Sequence, residues 1–155
     1  MPWDAIFEWT NRWALVCWII LAFAPKREQI VPYLFYAGSG VLALTYAALI
    51  VPLMGGFISG GGPVGGPSAD FTTLKGVMAL FDAPGGATIG WIHYLAFDLF
   101  VGIWAARNAD RRGISRIIQV PVLFFILMAG PLGLALYLLL RQFIGVNAEN
   151  STVPS

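Results

Sequence analysis

Four runs of apolar residues, 6–24, 31–52, 87–106 and 117–140, constrain this chain more than anything else in it. Each is close to the twenty or so residues that a helix rising about 1.5 Å per residue needs to cross a hydrocarbon layer about 30 Å thick. In lipid a lone span has to be helical, because no water is present to satisfy its peptide groups. The pattern predicts an all-α fold, an integral membrane four-helix bundle. Composition agrees: charged residues make up 11% of the 155 residues and hydrophobic ones 58%, where a soluble domain carries about 25% charged. A net charge of +1 argues against a nucleic-acid partner. A single cysteine, Cys17, rules out a disulfide framework within the chain. Ala22-Phe23-Ala24 has the look of a signal-peptide cleavage site, but Asp4 and Glu8 precede it where a positive start is needed, so the first run reads as a retained span.

Lys26 and Arg27 follow the first run, and Arg107, Arg111, Arg112 and Arg116 separate the third from the fourth; Arg12, Lys75 and Arg141 fall on the other side. The excess of positive charge places both short loops in the cytoplasm and both termini outside it. The implied location is a bacterial inner membrane or a photosynthetic membrane, crossed several times. Between the second and third runs lies a Gly/Pro-rich loop, 54–70, with no phosphate-cradle ending. Phe71, Leu74, Met78 and Phe81 then fall on one helical stripe, which predicts a short interfacial helix over 71–82. Residues 146–155 read as a polar disordered tail; its Asn150-Ser151-Thr152 triplet is too short to mean more than chance.

The third run carries the only histidine, His93, and a mid-span carboxyl, Asp98. A carboxylate there costs about 2.5–3.5 kcal/mol on insertion scales, so it is expected to face protein and to have a role. A helical wheel puts Ile92, Leu95, Leu99 and Ile103 on one arc, expected to face lipid. Gly90, His93, Tyr94, Phe97 and Asp98 fall on the other, expected to face protein. In the first run Asp4, Glu8, Asn11, Arg12, Leu15 and Ile19 form one stripe; in the second, Tyr36, Ser39, Gly40, Ala43, Tyr46 and Ala47 form another. Gly130-Pro131-Leu132-Gly133 should break or kink the fourth span. Together these predict a pocket in the outer half of the bundle. Its candidate catalytic residues are His93, Asp98 and Tyr94; its candidate substrate-binding residues are Glu8, Asn11, Arg12, Tyr46, Trp91 and Pro131. A purely structural alternative pairs Arg12 with Asp98 and Glu8 with His93. Trp3, Trp9, Trp13 and Trp18 are expected to act as interfacial anchors, or to stack on a polyene or aromatic ligand. Arg111, Arg112 and Arg116 read as a topology signal and headgroup contacts, with Asp110 a surface charge beside them. One histidine and no nearby carboxylate pair argue against a metal site or a haem.

His93-Tyr94-Leu95-Ala96-Phe97-Asp98-Leu99-Phe100, the arginine-rich loop and Gly130-Pro131-Leu132-Gly133 together resemble the abscisic-acid-deficient-4-like family. These are small four-span membrane proteins of bacteria, algae and plastids. The resemblance implies a link to neoxanthin synthesis, since plant members are required to convert the epoxycarotenoid violaxanthin to neoxanthin. This chain departs from plant members in its Gly-rich loop and in having no transit peptide. Turning an epoxide into an allenic alcohol is a net isomerisation, requiring an acid at the epoxide oxygen and a base for a polyene proton but no cofactor. A desolvated Asp98 could serve as the acid, while an arginine neighbour would keep it charged as the base with His93 or Tyr94 as the acid, and the sequence leaves both assignments open. The expected partners are membrane lipid and a hydrophobic isoprenoid or carotenoid-like ligand, with a homodimer a compatible assembly. Two other readings are a non-catalytic pigment- or lipid-binding accessory protein and a small proton-coupled transporter using Asp98 or Glu8.

Overall fold

The computed structural model describes residues 1–25, 27–62 and 70–144, and among these every regular element is helical. The elements are α1 (Trp3–Phe23), α2 (Arg27–Met54), α3 (Leu74–Asp82), α4 (Pro84–Arg111), α5 (Arg116–Met128) and α6 (Gly130–Ile144). The 146–155 tail with its Asn150 triplet, and residues 63–69 of the Gly-rich loop, lie outside the described residues. Of these helices α1, α2 and α4 are long and apolar enough to cross a membrane.

Local chemistry sets the helix ends. Ala24 is extended before Pro25, with ψ at 129°, and this stops α1. Pro84 opens α4 in its first turn, where a missing N–H costs nothing. The Thr73 hydroxyl caps α3 by accepting from the Gly76 N–H at 3.0 Å. Asp70, just upstream, accepts from the Thr72 and Thr73 N–H groups at 2.8 and 2.9 Å. The Thr72 hydroxyl, together with those backbone donors, holds the Asp70 carboxyl below the usual carboxylate range. Phe71, Leu74, Met78 and Phe81 are exposed by 46–78%, while Gly76 and Leu80 are buried against the body of the protein. The stripe therefore points away from the bundle, the orientation that a helix lying at a lipid surface needs.

α4 is the central element. Its Leu95, Leu99 and Ile103 are buried in the core with Cys17, Trp18, Leu21 and Leu34, and Ile92 is fully buried as well. The Ser39 hydroxyl donates to the Ala96 carbonyl at 2.8 Å, and the Trp13 indole donates to the Ala37 carbonyl at 2.9 Å from within a π-helical stretch of α2, Leu34–Gly40. The wheel expectation for this helix is thus reversed: the aliphatic arc is the core, and His93, Tyr94 and Phe97 point outward. The reason is physical. Lipid and protein interior are equally apolar, so hydrophobicity does not orient such a helix; branched aliphatic side chains that interdigitate at the contact do. The first-run stripe is likewise outward, with Asp4, Glu8, Arg12, Leu15 and Ile19 all exposed.

The fourth region departs furthest from expectation. A single interrupted span was expected over 117–140; instead the chain turns back on itself. Pro131 has no N–H to give to the preceding turn, and Ala129 takes φ −156°, ψ 77° between α5 and α6. A straight helix would carry residue 141 some 30 Å beyond Gln119. Instead the Tyr137 hydroxyl donates to Asn108 at 2.7 Å, Arg112 reaches the Arg141 carbonyl at 3.5 Å, and the Tyr137 and Trp104 rings meet edge-on at 5.6 Å. α5 and α6 therefore form a helical hairpin, both arms rooted at the arginine-rich end. At about 20 and 22 Å, each arm is shorter than a hydrocarbon core. Gly133 makes the tight return possible, since a Cβ there would strike the backbone of Phe125 and Ile126. Trp3 lies against Gly85 at the opposite end of α4 from Arg141. The N-terminus and the last described residue, Ile144, thus sit at opposite ends of α4.

The arginine-rich end is held by a buried ionic fork. Arg27, only 1% exposed, donates through Nε to Asp110 at 2.8 Å, and its terminal nitrogen also reaches Asp110 and the Gln119 side-chain oxygen. The same guanidinium touches the carbonyls of Leu21 and Ala106 at 3.3 and 3.4 Å. Gln119 donates in turn to Asp110 at 3.0 Å and to the Ile114 carbonyl at 2.7 Å. Arg116 donates to the Ala24 carbonyl. Asp110 is therefore not a surface charge accompanying the loop; it is the anion that ties α1, α2, α4 and α5 together.

Two outcomes test this description. Arg27→Ala leaves Asp110 without its buried partner and should cost about 3–5 kcal/mol, whereas Arg27→Met combined with Asp110→Leu should cost much less than either single change. Thermal unfolding of the purified chain in detergent measures both. Cysteines introduced as Pro2→Cys and Ile144→Cys should react with a membrane-impermeant maleimide from opposite faces, the native Cys17 being buried; labelling of both from one face would contradict the hairpin.

Candidate functional site

Asp98 lies at the middle of α4, half-buried, and the apex of the hairpin rests against it. A Cβ on Gly130 would collide with the Asp98 carboxyl, so glycine is what lets the start of α6 approach so closely. That start is the N-terminal end of a helix, whose peptide dipoles attract negative charge. Among the described residues the carboxyl takes part in no side-chain hydrogen bond or ion pair. Pro131 follows at once and is exposed.

Trp91 and Tyr94 lie seven and four residues before Asp98, on the same flank of α4. They are 44% and 53% exposed, with ring centroids 6.4 Å apart. The Trp91 indole donates to the Asn11 side chain at 2.9 Å, and the Asn11 amide donates to the Phe7 carbonyl at 3.0 Å. Phe7 adds its ring at 6.1 Å from Trp91. The result is a strip about 10 Å long, from Asn11 and Trp91 down through Tyr94 to Asp98 and Gly130. It is open because the hairpin reaches only as high as Asp98. Five of the residues singled out from the sequence, Asn11, Trp91, Tyr94, Asp98 and Pro131, lie along it or at its foot.

The other four do not. His93 points to a different flank, where its ring lies 5.3 Å from that of Tyr46 and 4.7 Å from that of Phe97. Glu8 and Arg12 pair with each other at 2.8 Å, with side chains 60% and 73% exposed. The single inward-facing chamber expected for all nine residues is therefore not formed, and neither are the Arg12–Asp98 and Glu8–His93 pairs of the structural alternative. The stripe that carries Glu8 and Arg12 lies opposite the buried face of α1, so their side chains have no route to Asp98.

An open-sided cleft of about 560 Å³ separates the first half of α1 from the middle of α2. Trp9, Thr10 and Trp13 line it from one side, and Val41, Leu42 and Thr45 from the other; no ionisable side chain faces it. Its volume lies within the roughly 300–1,000 Å³ of ligand sites. Trp9 and Trp13, expected as anchors or stackers, both lie on one wall of the cleft. Trp3 and Trp18 are instead buried in packing. Val41 and Thr45 carried no signal in the sequence beyond apolarity and helical spacing.

Neither a curated protein nor a solved structure matches the chain significantly. A family model does, over residues 5–137, from the first turn of α1 to Tyr137 on the return arm of the hairpin. The whole open strip, the cleft and the ionic fork fall inside those bounds, and the chain belongs to the ABA4-like family, described as ABA DEFICIENT 4-like.

Proposed function

We propose that this protein works within the bilayer on an epoxycarotenoid or a related isoprenoid lipid, as a cofactor-free isomerase whose acid and base are Tyr94 and Asp98. One observation carries the reading: a half-buried carboxyl, with no side-chain hydrogen bond among the described residues, sits one turn from a phenol on an exposed flank of α4. Membership of the ABA4-like family supports the substrate class. The chemistry needs no redox partner. As the epoxide C–O bond opens, the Tyr94 hydroxyl protonates its oxygen; Asp98 takes a proton from the polyene, whose electrons form the new double bond; proton return from Asp98 to Tyr94 restores the pair. His93, which the sequence ranked equally with Tyr94 as the acid, has no place in this scheme, because it faces Tyr46 and Phe97 on another flank.

Pigment profiling of a host that makes epoxycarotenoids and expresses this chain is the test. A new carotenoid isomeric with its precursor should appear. Asp98→Asn should lower its yield by about 10²-fold or more and His93→Gln should leave it intact. Unchanged pigments with well-folded protein would contradict the reading, and so would loss of product on changing His93 alone.

The cleft between α1 and α2 favours a second reading, a non-catalytic holder of a pigment or lipid. Its wall of Trp9 and Trp13 suits stacking on a conjugated chain, and it lacks any acid or base. On that reading unaltered pigment co-purifies with the protein, and Trp9→Ala with Trp13→Ala lowers the amount retained. Retention indifferent to both tryptophans would remove the cleft from consideration.

A further inference from the structure

Arg107 and Arg111 lie one turn apart near the end of α4, both exposed, and among the described residues neither side chain makes a hydrogen bond or an ion pair. Their neighbours are engaged. Arg27 holds Asp110 and Gln119, Arg112 donates to Asn108 at 3.2 Å, and Arg116 takes the Ala24 carbonyl. Below the free pair is a cleft of about 170 Å³ that is cationic at one end and aromatic at the other. Arg107, Arg111 and Asn108 form its polar end; Phe35, Phe100 and Trp104 form its apolar end. The Phe35 and Phe100 rings meet at 5.7 Å and close the floor. The Asn108 oxygen is already used, accepting from Tyr137 at 2.7 Å and from Arg112, which leaves the amide nitrogen to donate.

Depth and charge fit an amphiphile. Arg107 lies about 14 Å from the midpoint of α4, close to half the thickness of a hydrocarbon core, where headgroup phosphates begin. The aromatic end continues from there toward the membrane centre. No carboxylate lines this cleft. A second cleft, of about 260 Å³, on the other side of the same two arginines includes Glu28 and Asp110, and their charge directs an anion to the Trp104 side.

We propose that the cleft beneath Arg107 and Arg111 is a binding site for an anionic phospholipid. The two guanidinium groups and the Asn108 amide bind the phosphate, and an acyl chain lies along Trp104, Phe100 and Phe35. Paired arginines suit phosphate because each presents a planar fork of donors. Basic pockets between helices at the cytoplasmic side recognise headgroups in this way. A free phosphate ion would satisfy the arginines but has no use for the aromatic floor, and this commits the site to a lipid. The site is remote from the Tyr94–Asp98 strip and does not depend on what that strip does.

The test uses the full chain, reconstituted in vesicles of equal phosphatidylglycerol and phosphatidylcholine, then extracted in mild detergent and analysed for retained lipid by native mass spectrometry. Phosphatidylglycerol should be retained about tenfold over phosphatidylcholine. Arg107→Gln with Arg111→Gln should abolish that preference. Trp104→Leu, which keeps both charges, should lower total retention while leaving the preference for the anionic lipid. The unfolding temperature of the double arginine variant should stay near that of the native chain, because both arginines are exposed and unpaired among the described residues. Equal retention of the two lipids by the native chain would overturn the proposal. A preference surviving the double change, or displacement of the lipid by millimolar inorganic phosphate, would overturn it as well.

Discussion

The rest of the structure depends on the fork that Arg27 makes with Asp110 and Gln119. A guanidinium at 1% exposure is stable only where its charge is matched and each donor has an acceptor. The carboxyl of Asp110, the amide of Gln119 and two helix carbonyls meet that requirement. These groups come from the end of α1, the start of α2, the end of α4 and the start of α5, so satisfying one cation fixes where four helix ends lie. The position of the hairpin then follows. Its first arm, the 13 residues Arg116–Met128, is pinned at Gln119 in its first turn, and the Ala129 turn that ends it lies at the level of Asp98.

That turn places a break in helical hydrogen bonding deep in the molecule. Irregular backbone at such depth is tolerated where protein covers it or a polar cavity takes it up. Here α4 covers it on one side, with Asp98 against Gly130, and the Ala129 carbonyl accepts from the Gly133 N–H at 3.0 Å. The same shortness leaves the half of α4 away from the arginine-rich end with α1, α2 and the short α3 beside it but no hairpin arm. The exposed aromatic strip is thus a geometric consequence of a short hairpin, and carboxyl and opening arise from one feature.

How much of this was legible in the sequence follows from which forces act alone along the chain. The apolar runs that became α1, α2 and α4 were legible because length and hydropathy are properties of one segment. The short helix marked by the stripe of Phe71, Leu74, Met78 and Phe81 was legible for the same reason, since an amphipathic period belongs to one segment. The buried face of α4 was not, because polarity was used to orient a helix whose two surroundings are equally apolar, and the rule that polar residues turn inward failed for His93. The fork was hidden too. Arg27 and Asp110 are 83 positions apart and each reads as an ordinary flanking charge until the fold joins them. Gly130-Pro131 marked the break, but nothing local says whether a chain resumes its direction after a break or reverses it. That is decided by contacts such as Tyr137 with Asn108, which belong to the tertiary fold.

The depth of Asp98 constrains any ligand that reaches it. A hydroxylated end group prefers the headgroup region, and drawing it to mid-bilayer costs the desolvation of its polar atoms. The strip offers partial compensation at intervals: Asn11 and the Trp91 edge near the top, the Tyr94 hydroxyl one turn lower, and Asp98 at the foot. Trp91 and Tyr94 present flat rings along which a rigid conjugated chain slides without losing contact. A saturated flexible lipid would gain less from those rings and lose more entropy on being held straight. The arrangement therefore discriminates by rigidity as well as by polarity. On the proposed reading such a strip would suit a stiff apolar molecule with an oxygen near one end, without an enclosed pocket.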